Sequence, residues 1–117
     1  MSNIQYTQDR VGAVEHHIAS LKAQVKLRDA VLRLRANPDF RFAIGEEFME
    51  RQCARYARNS GDVSMSVESR QDALAIAQSA GHLQRFLDVT IQLGDLAKNQ
   101  LPEAQATLDE VRGEEGQ

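Results

Sequence analysis

The chain has 117 residues, 42% of them hydrophobic and 26% charged, which is typical of one small folded domain and excludes collagen-like or linker-type chains. No apolar run approaches the roughly 18 residues that a membrane span requires, and the first ten residues lack the layout of a signal peptide. A single cysteine excludes an internal disulfide, which favours an intracellular protein that is neither secreted nor membrane-bound.

The net charge of −3 is unevenly distributed along the chain. Residues 10–58 carry ten Lys or Arg against six Asp or Glu, whereas residues 59–117 carry four against ten. Attraction between the two halves of one domain, or between opposite halves of neighbouring copies, is the simplest interpretation. The alternative is that the basic half binds an acidic or phosphate-bearing partner.

The first predicted element is a long helix over residues 8–36. Its apolar residues follow the three-and-four spacing of a coiled-coil seam. They are Val11, Val14, Ile18, Leu21 and Val25. A seam this narrow buries little within one chain, so either an antiparallel helix or another copy should cover it. We assign residues 1–36 to oligomerisation or docking and expect a homo-oligomer.

The seam continues into two arginines, Arg28 and Arg35, at positions where apolar residues are expected. A charged residue on a seam lowers stability and often fixes register or partner choice. We therefore include both arginines in the predicted interface and expect them to pair with carboxylates of a neighbouring copy or a partner. In the alternative interpretation the seam ends at Val25 and both arginines are exposed.

A second helix is predicted after the Asn37-Pro38 step, because the residue before a proline avoids the α region. Asn37 can cap this helix, which runs to about residue 57. It carries the widest apolar face in the chain, and we predict that Phe40, Ile44 and Phe48 form the centre of the core.

The region after this helix has the pattern of a polar loop followed by more helices. The loop covers residues 58–66, and Ser64 or Ser66 can cap a third helix. Gly81 either ends that helix or is tolerated within it. A fourth helix is predicted over residues 82–100.

The C-terminal segment is predicted to be a separate short helix that begins at Pro102 and ends in a polar tail. We divide the chain accordingly into the N-terminal helix, a helical core over residues 37–100 and this C-terminal helix over residues 101–117. No stretch has the pattern of a strand. The predicted fold is all-α, a long N-terminal helix with a coiled-coil-like seam joined to a small helical bundle.

Residues that could carry chemistry do not form a recognisable site. His16 and His17 are adjacent on a helix, so their side chains diverge by about 100° and cannot share a metal ion, and His82 has no partner at ligand spacing. Cys53 lies among core residues and is expected to be a buried thiol rather than a nucleophile. Phosphate-binding loops and nucleophile elbows are absent. We therefore predict a protein that is not an enzyme and has no catalytic residue, cofactor or metal.

Two rows of basic residues are candidates for contact with an anionic partner. The first row is Lys22, Lys26 and Arg33, and the second is Arg51, Arg55 and Arg58. Each row follows one side of a helix, an arrangement that can hold a phosphate or a carboxylate. No aromatic residues interleave with the rows, which disfavours nucleic acid as the partner. A solvated face with salt bridges explains the same charges.

The stretch from Leu32 to Leu87 combines a helix start, a polar loop and an arginine-bearing helix that ends in leucines. It reads LRLRANPDFRFAIGEEFMERQCARYAR, then a Ser/Gly loop, then SVESRQDALAIAQSAGHLQRFL. This arrangement resembles the Bbp19-like phage domain of small proteins from tailed bacteriophages, with Arg70 matching an arginine of its second block. That block more often contains a Gly-Arg-Arg run, from which this chain departs. The resemblance implies a role in virion structure or assembly and does not extend to the N-terminal helix.

Two functions fit these features. The first is a bacteriophage structural or assembly protein, in the virion or the host cytoplasm, that oligomerises through its N-terminal helix and docks on head, portal or tail proteins. The second is a soluble intracellular adaptor or inhibitor that masks an acidic or nucleic-acid-binding partner with its basic helix faces. A structural subunit should self-associate through the seam, whereas an adaptor could stay monomeric with its basic rows exposed.

Overall fold

The computed structural model describes residues 2–115, and the side chains of residues 4–114. The elements are α1 (Ser2–Ala36), α2 (Pro38–Phe40), a π-helical segment (Arg41–Gln52), α3 (Cys53–Ser60) and α4 (Val67–Glu115). Over residues 2–115 there is no strand, so the predicted all-α class is confirmed.

The boundary between α1 and α2 lies where the sequence predicts it. Asn37 has an extended backbone, with φ −75° and ψ 123°, and its side chain accepts hydrogen bonds from the backbone N–H groups of Asp39 at 2.8 Å and Phe40 at 3.2 Å. Pro38 occupies the first helical position, where its missing N–H leaves no bond unmade. The predicted Asn37 cap is confirmed.

The loop over residues 61–66 is held by short polar side chains. The Asp62 carboxylate accepts hydrogen bonds from the backbone N–H of Ser64 at 2.9 Å and from its hydroxyl at 2.7 Å. These two bonds hold the pKa of Asp62 below its usual range, because they stabilise the charged carboxylate. Ser66 caps the start of α4, because its hydroxyl oxygen accepts a hydrogen bond from the backbone N–H of Ser69 at 3.1 Å.

Helix α4 is longer than the sequence predicts. It runs without interruption from Val67 to Glu115 and contains both Gly81 and Pro102. Gly81 is therefore tolerated within the helix, the second of the two expected outcomes. The predicted start of a separate helix at Pro102 is wrong, because residues 101–115 continue α4; the last two residues of the predicted C-terminal segment, 116 and 117, lie outside the described residues.

The reason for this difference is tertiary packing. Pro102 removes one backbone hydrogen bond, but its own side chain is exposed. Leu101 before it and Ala104 and Leu108 after it all belong to one apolar cluster with α1. Burial on both sides of the proline keeps the helix continuous.

The chain divides into two compact units whose boundaries lie inside α1 and α4, and not at the predicted breaks. The first unit joins the chain up to Ala30 with the chain from Thr90 onward. Its two helices are antiparallel, because Arg10 forms an ion pair with Glu114. The first unit is therefore an antiparallel pair of helices, connected in sequence through residues 31–89, and we call this pair the hairpin. Its buried cluster consists of Ile18, Leu21, Ala97, Ala104 and Leu108.

The second unit is Val31–Val89 and contains the end of α1, the helix from Pro38 to Ser60, and the first part of α4. Its buried apolar residues are Val31, Cys53, Ala73 and Leu87.

The predicted core centre at Phe40, Ile44 and Phe48 is wrong, because all three side chains are only half-buried. No described residue of the π-helical segment is fully buried. A unit of this size has little interior, so most of its large side chains, these aromatic ones among them, remain partly at the surface.

Candidate interaction surfaces

The predicted seam is covered within the chain. Ile18 and Leu21 are buried, and Val11, Val14 and Val25 are half-buried against the same cluster. The covering residues, Ala97, Leu101, Ala104 and Leu108, all belong to α4. The sequence allows either an antiparallel helix or another copy to pack on the seam, and in the structure the antiparallel helix α4 does so. A second copy at the seam would have to displace α4 or use the half-exposed edge.

Arg28 pairs with carboxylates of its own chain. Its Nε donates to the Asp95 carboxylate and its Nη1 donates to Asp29 at 2.9 Å. The Asp95 bond is the main reason that the pKa of Arg28 is raised further above its usual range. The expectation that its partner carboxylate comes from a neighbouring copy is wrong, and the expectation that it is fully exposed is wrong as well.

Arg35 also has an internal partner. Its Nη2 lies 2.6 Å from an Asp88 carboxylate oxygen, and Gln84 donates to the same carboxylate at 3.3 Å. The Arg35 guanidinium, followed by Gln84, holds the pKa of Asp88 below its usual range, because both donors stabilise the carboxylate form. The expectation that Arg35 pairs with a carboxylate of a neighbouring copy or a partner is therefore wrong, because its carboxylate partner is Asp88 of the same chain.

These partners are residues that the sequence reasoning missed. The available signal is a shared spacing, since Arg28 and Arg35 are seven residues apart and so are Asp88 and Asp95. Matched spacings of opposite charge on two helices are typical of charged positions flanking a coiled-coil seam.

Two further ion pairs join the helices of the hairpin. Arg10 lies 2.9 Å from Glu114, and Arg112 lies 3.9 Å from Glu15. Exposed pairs of this kind contribute at most about 1 kcal/mol each. These ion pairs set the register of α1 against α4 and add little to stability. They also show that some charges of the basic and acidic halves of the chain pair with each other.

The two predicted basic rows differ in whether all their residues lie in one compact unit. Lys22 and Lys26 are exposed on the hairpin, whereas Arg33 is exposed in the second unit. The structure therefore does not place the first row in one compact unit. The second row, Arg51, Arg55 and Arg58, lies entirely in the second unit and is exposed throughout.

The helix that carries the second row has a further exposed aromatic residue, and we call Phe42, Arg51, Arg55 and Arg58 together the outer face. Glu46 and Glu50 are also exposed, but they line a groove with Phe40 of the same helix and with Arg35, Gln84 and Leu87. Phe42 leaves 58% of its surface exposed, unusual for a phenylalanine. The sequence reasoning identified the three arginines but did not single out Phe42 as an exposed residue. The signal that could have found it is the helical spacing. Phe42 lies two residues from both Phe40 and Ile44, so it points away from the apolar side of the helix.

The described residues bring no metal-binding group together. His16, His17 and His82 are exposed. Over residues 4–114 no group of three His, Cys, Asp or Glu side chains is placed to hold a metal ion. Cys53 is buried, as predicted, and its thiol donates to the carbonyl oxygen of Ile76 at 3.6 Å.

No helix among the described residues has the length and apolar character to cross a membrane. Comparison with descriptions of protein families, with curated proteins and with solved structures finds no match to this chain.

Proposed function

We propose that the protein is a non-enzymatic structural or assembly protein of a bacteriophage, which docks on head, portal or tail proteins. The observation that carries this proposal is a coincidence of boundaries. The stretch that resembles the phage domain is Leu32 to Leu87, and the second compact unit is Val31–Val89. A resemblance that covers one complete packing unit is better support than one that cuts through a unit.

The arrangement inside this unit supports a docking role. The matching arginine of the resemblance, Arg70, donates from Nε to the Ser60 carbonyl oxygen at 3.1 Å. This bond ties the end of α3 to the start of α4 across the polar loop. Arg70 therefore has a positioning role in the unit, and the exposed outer face is left for contact with other proteins.

The test is whether the chain is incorporated into particles. Phage particles would be produced from the replicon that encodes this chain, purified on a density gradient, and quantified by mass spectrometry together with their assembly intermediates. We expect the chain to co-migrate with heads, tails or whole particles at a fixed copy number. Its absence from particles and from every intermediate would contradict the proposal.

The second candidate is an adaptor that binds an acidic partner, and one observation favours it. The seam is covered by α4, while Arg51, Arg55 and Arg58 remain exposed on one unit, which is the arrangement expected of an adaptor. The test is calorimetric titration with a Glu-rich peptide at low and high salt. An adaptor should bind in a salt-sensitive way, and R51E should weaken binding more than the control K98E, a charge reversal on exposed Lys98 of the hairpin.

A further inference from the structure

The hairpin has two long sides, one on each flank of its buried cluster. The buried residues of α1 and α4 follow a three-and-four spacing, so each has one neighbour before it and one after it in sequence. Because the two helices are antiparallel, the preceding neighbours of both helices lie on one side of the pair and the following neighbours lie on the other. The chemistry of the two sides differs.

The side formed by the following neighbours is charged. A groove along it is lined by Glu15, Ala19 and Lys22 of α1 together with Gln105 and Arg112 of α4. Arg112 pairs with Glu15 across this side at 3.9 Å. We call it the charged side, and its groups are suited to contact with water.

The side formed by the preceding neighbours carries exposed leucines, and we call it the leucine side. Leu27 of α1 is 48% exposed, and Leu93 and Leu96 of α4 are 48% and 56% exposed. Because the side chain of Arg28 lies against Gly94, Leu27 is at the same level along the hairpin as the other two leucines. The three leucines therefore form one apolar cluster at the surface of the hairpin.

An open groove lies further along the leucine side. Its volume is about 530 Å³, and its walls include Ala13, His17, Gln100 and Thr107, beside the buried Ala104. Truncation of one buried leucine can leave a cavity on the order of 150 Å³. The groove therefore has room for about three leucine side chains.

We propose that the leucine side binds the leucine side of a second copy of this chain, so that the leucine cluster of each copy fills the groove of the other. The two-fold axis lies in the interface, perpendicular to the helices and near Gln100. Leu93 and Thr107 are each seven residues from Gln100, and Leu96 and Ala104 are each four residues from it. Leu93 of each copy thus meets Thr107 of the other, and Leu96 meets Ala104. Because the interface is isologous, each contact occurs twice.

A second copy fits the leucine side better than other occupants do. The side carries both the apolar cluster and the groove that receives it, so it is complementary to itself. Groups near a two-fold axis meet their own copies, and Ser20, Gln24 and Gln100, all exposed near this axis, are uncharged and do not repel one another. A two-fold axis along the helices would instead place leucines on leucines and leave both grooves empty. A highly charged partner is better matched by the charged side.

The size of the leucine side predicts a reversible dimer. Between Ala13 and Ala30 it is about 26 Å long at 1.5 Å per residue, and two helices are about 20 Å wide. Two copies therefore bury on the order of 1,000 Å², the lower limit for a specific interface. The dimer does not depend on a phage role, because it can form in either function.

The test measures the native mass of the full chain by sedimentation equilibrium over a concentration series. We expect a monomer–dimer equilibrium whose dissociation constant does not rise with salt, because leucines and not ion pairs form the contact. Leu96→Glu removes a leucine from the contact and Ala13→Phe fills the groove, so each should raise the dissociation constant at least tenfold. Ala19→Glu and Ala19→Phe, at an exposed alanine of the charged side, are the matched controls and should leave the dimer unchanged.

An equimolar mixture of Leu96→Glu and Ala13→Phe tests whether leucines of one copy enter the groove of the other. The mixed dimer keeps one intact contact, between the leucines of the Ala13→Phe chain and the groove of the Leu96→Glu chain. In either variant alone both contacts are impaired. The mixture should therefore dimerise more tightly than either variant.

A cysteine substitution tests the position of the two-fold axis. Gln100→Cys places a thiol next to its own copy, so mild oxidation should give a disulfide-linked dimer. Gln105→Cys, on the charged side, and the wild-type chain, whose Cys53 is buried, should give none. Circular dichroism should show unchanged helicity for every variant, because all the substituted side chains are exposed. A wild-type chain that stays monomeric, a dimer that neither variant weakens, a mixture no tighter than its components, or equal cross-linking at positions 100 and 105 would overturn the proposal.

Discussion

The side chain of Arg28 lies directly against the backbone of Gly94. A Cβ atom at position 94 would collide with the Cβ of Arg28 and would lie 2.7 Å from its Cγ and Cδ atoms. The guanidinium continues past this point to the carboxylate of Asp95, the next residue of α4. A glycine in the middle of a helix therefore makes room for an arginine on the seam, and the arginine keeps its ion pair.

This contact predicts that Gly94→Ala destabilises the protein. The added methyl group forces Arg28 or the helix backbone to move, and overpacking of this kind lowers the free energy of unfolding by about 1–3 kcal/mol. Urea unfolding followed by circular dichroism measures the change.

Gly81→Ala is the matched control, because Gly81 lies in the same helix and a methyl group added there would meet no atom within 4 Å beyond the backbone of its own helical turns. At this open position alanine is the better helix former and should raise the free energy of unfolding by roughly 0.5–1 kcal/mol. If both alanines stabilise the protein, the close approach of Arg28 to Gly94 is not a constraint in solution.

The pair Arg35–Asp88 predicts a loss of stability in acid. The folded pKa of Asp88 is below its ordinary value of 3.8, so the contribution of this carboxylate is fully present above pH 3.8 and is lost as the pH falls through the folded pKa. Asp88→Asn should therefore be less stable than the wild-type chain at pH 6, and the difference should shrink below about pH 4. Denaturant unfolding at a series of pH values measures it. Asp72→Asn, an exposed carboxylate of the same helix, is the control and should show a smaller difference at pH 6.

Burial of the seam predicts unequal effects of two leucine substitutions in α1. Leu21 is 4% exposed within the hairpin cluster, so Leu21→Ala should lower the free energy of unfolding by about 2–5 kcal/mol. Leu34 is 45% exposed, and Leu34→Ala should lower it by less than about 1 kcal/mol. Thermal unfolding of both variants at one protein concentration separates the two. Equal effects would show that the pairing of α1 with α4 contributes little to stability.

The sequence predicts those features that depend on local chemistry. Asn37 before Pro38 marks the end of α1 because both the cap and the proline act on neighbouring backbone groups. The period of Val14, Ile18 and Leu21 identifies the buried side of α1 because burial follows helical spacing.

Features that depend on distant residues are not predicted. The partners of Arg28 and Arg35 lie 67 and 53 residues away, and a single sequence does not distinguish a carboxylate of the same chain from one of another copy. The π-helical form of residues 41–52 also has no local sequence signal.

The continuity of α4 through Pro102 gives the last prediction. Proline within a helix removes the N–H that would bind the carbonyl four residues earlier, that of Lys98, and lowers stability by about 3 kcal/mol. Pro102→Ala restores this bond at an exposed position, and part of the gain is offset by about 0.4–1 kcal/mol because the unfolded chain becomes more flexible. We expect a net rise of roughly 2 kcal/mol in the free energy of unfolding, measured with urea.

Pro38→Ala is the control, because a proline in the first turn leaves no bond unmade, and that variant should gain nothing. If Pro102→Ala instead lowers stability, then a bend at the proline is needed for Leu101 and Ala104 to reach α1 together.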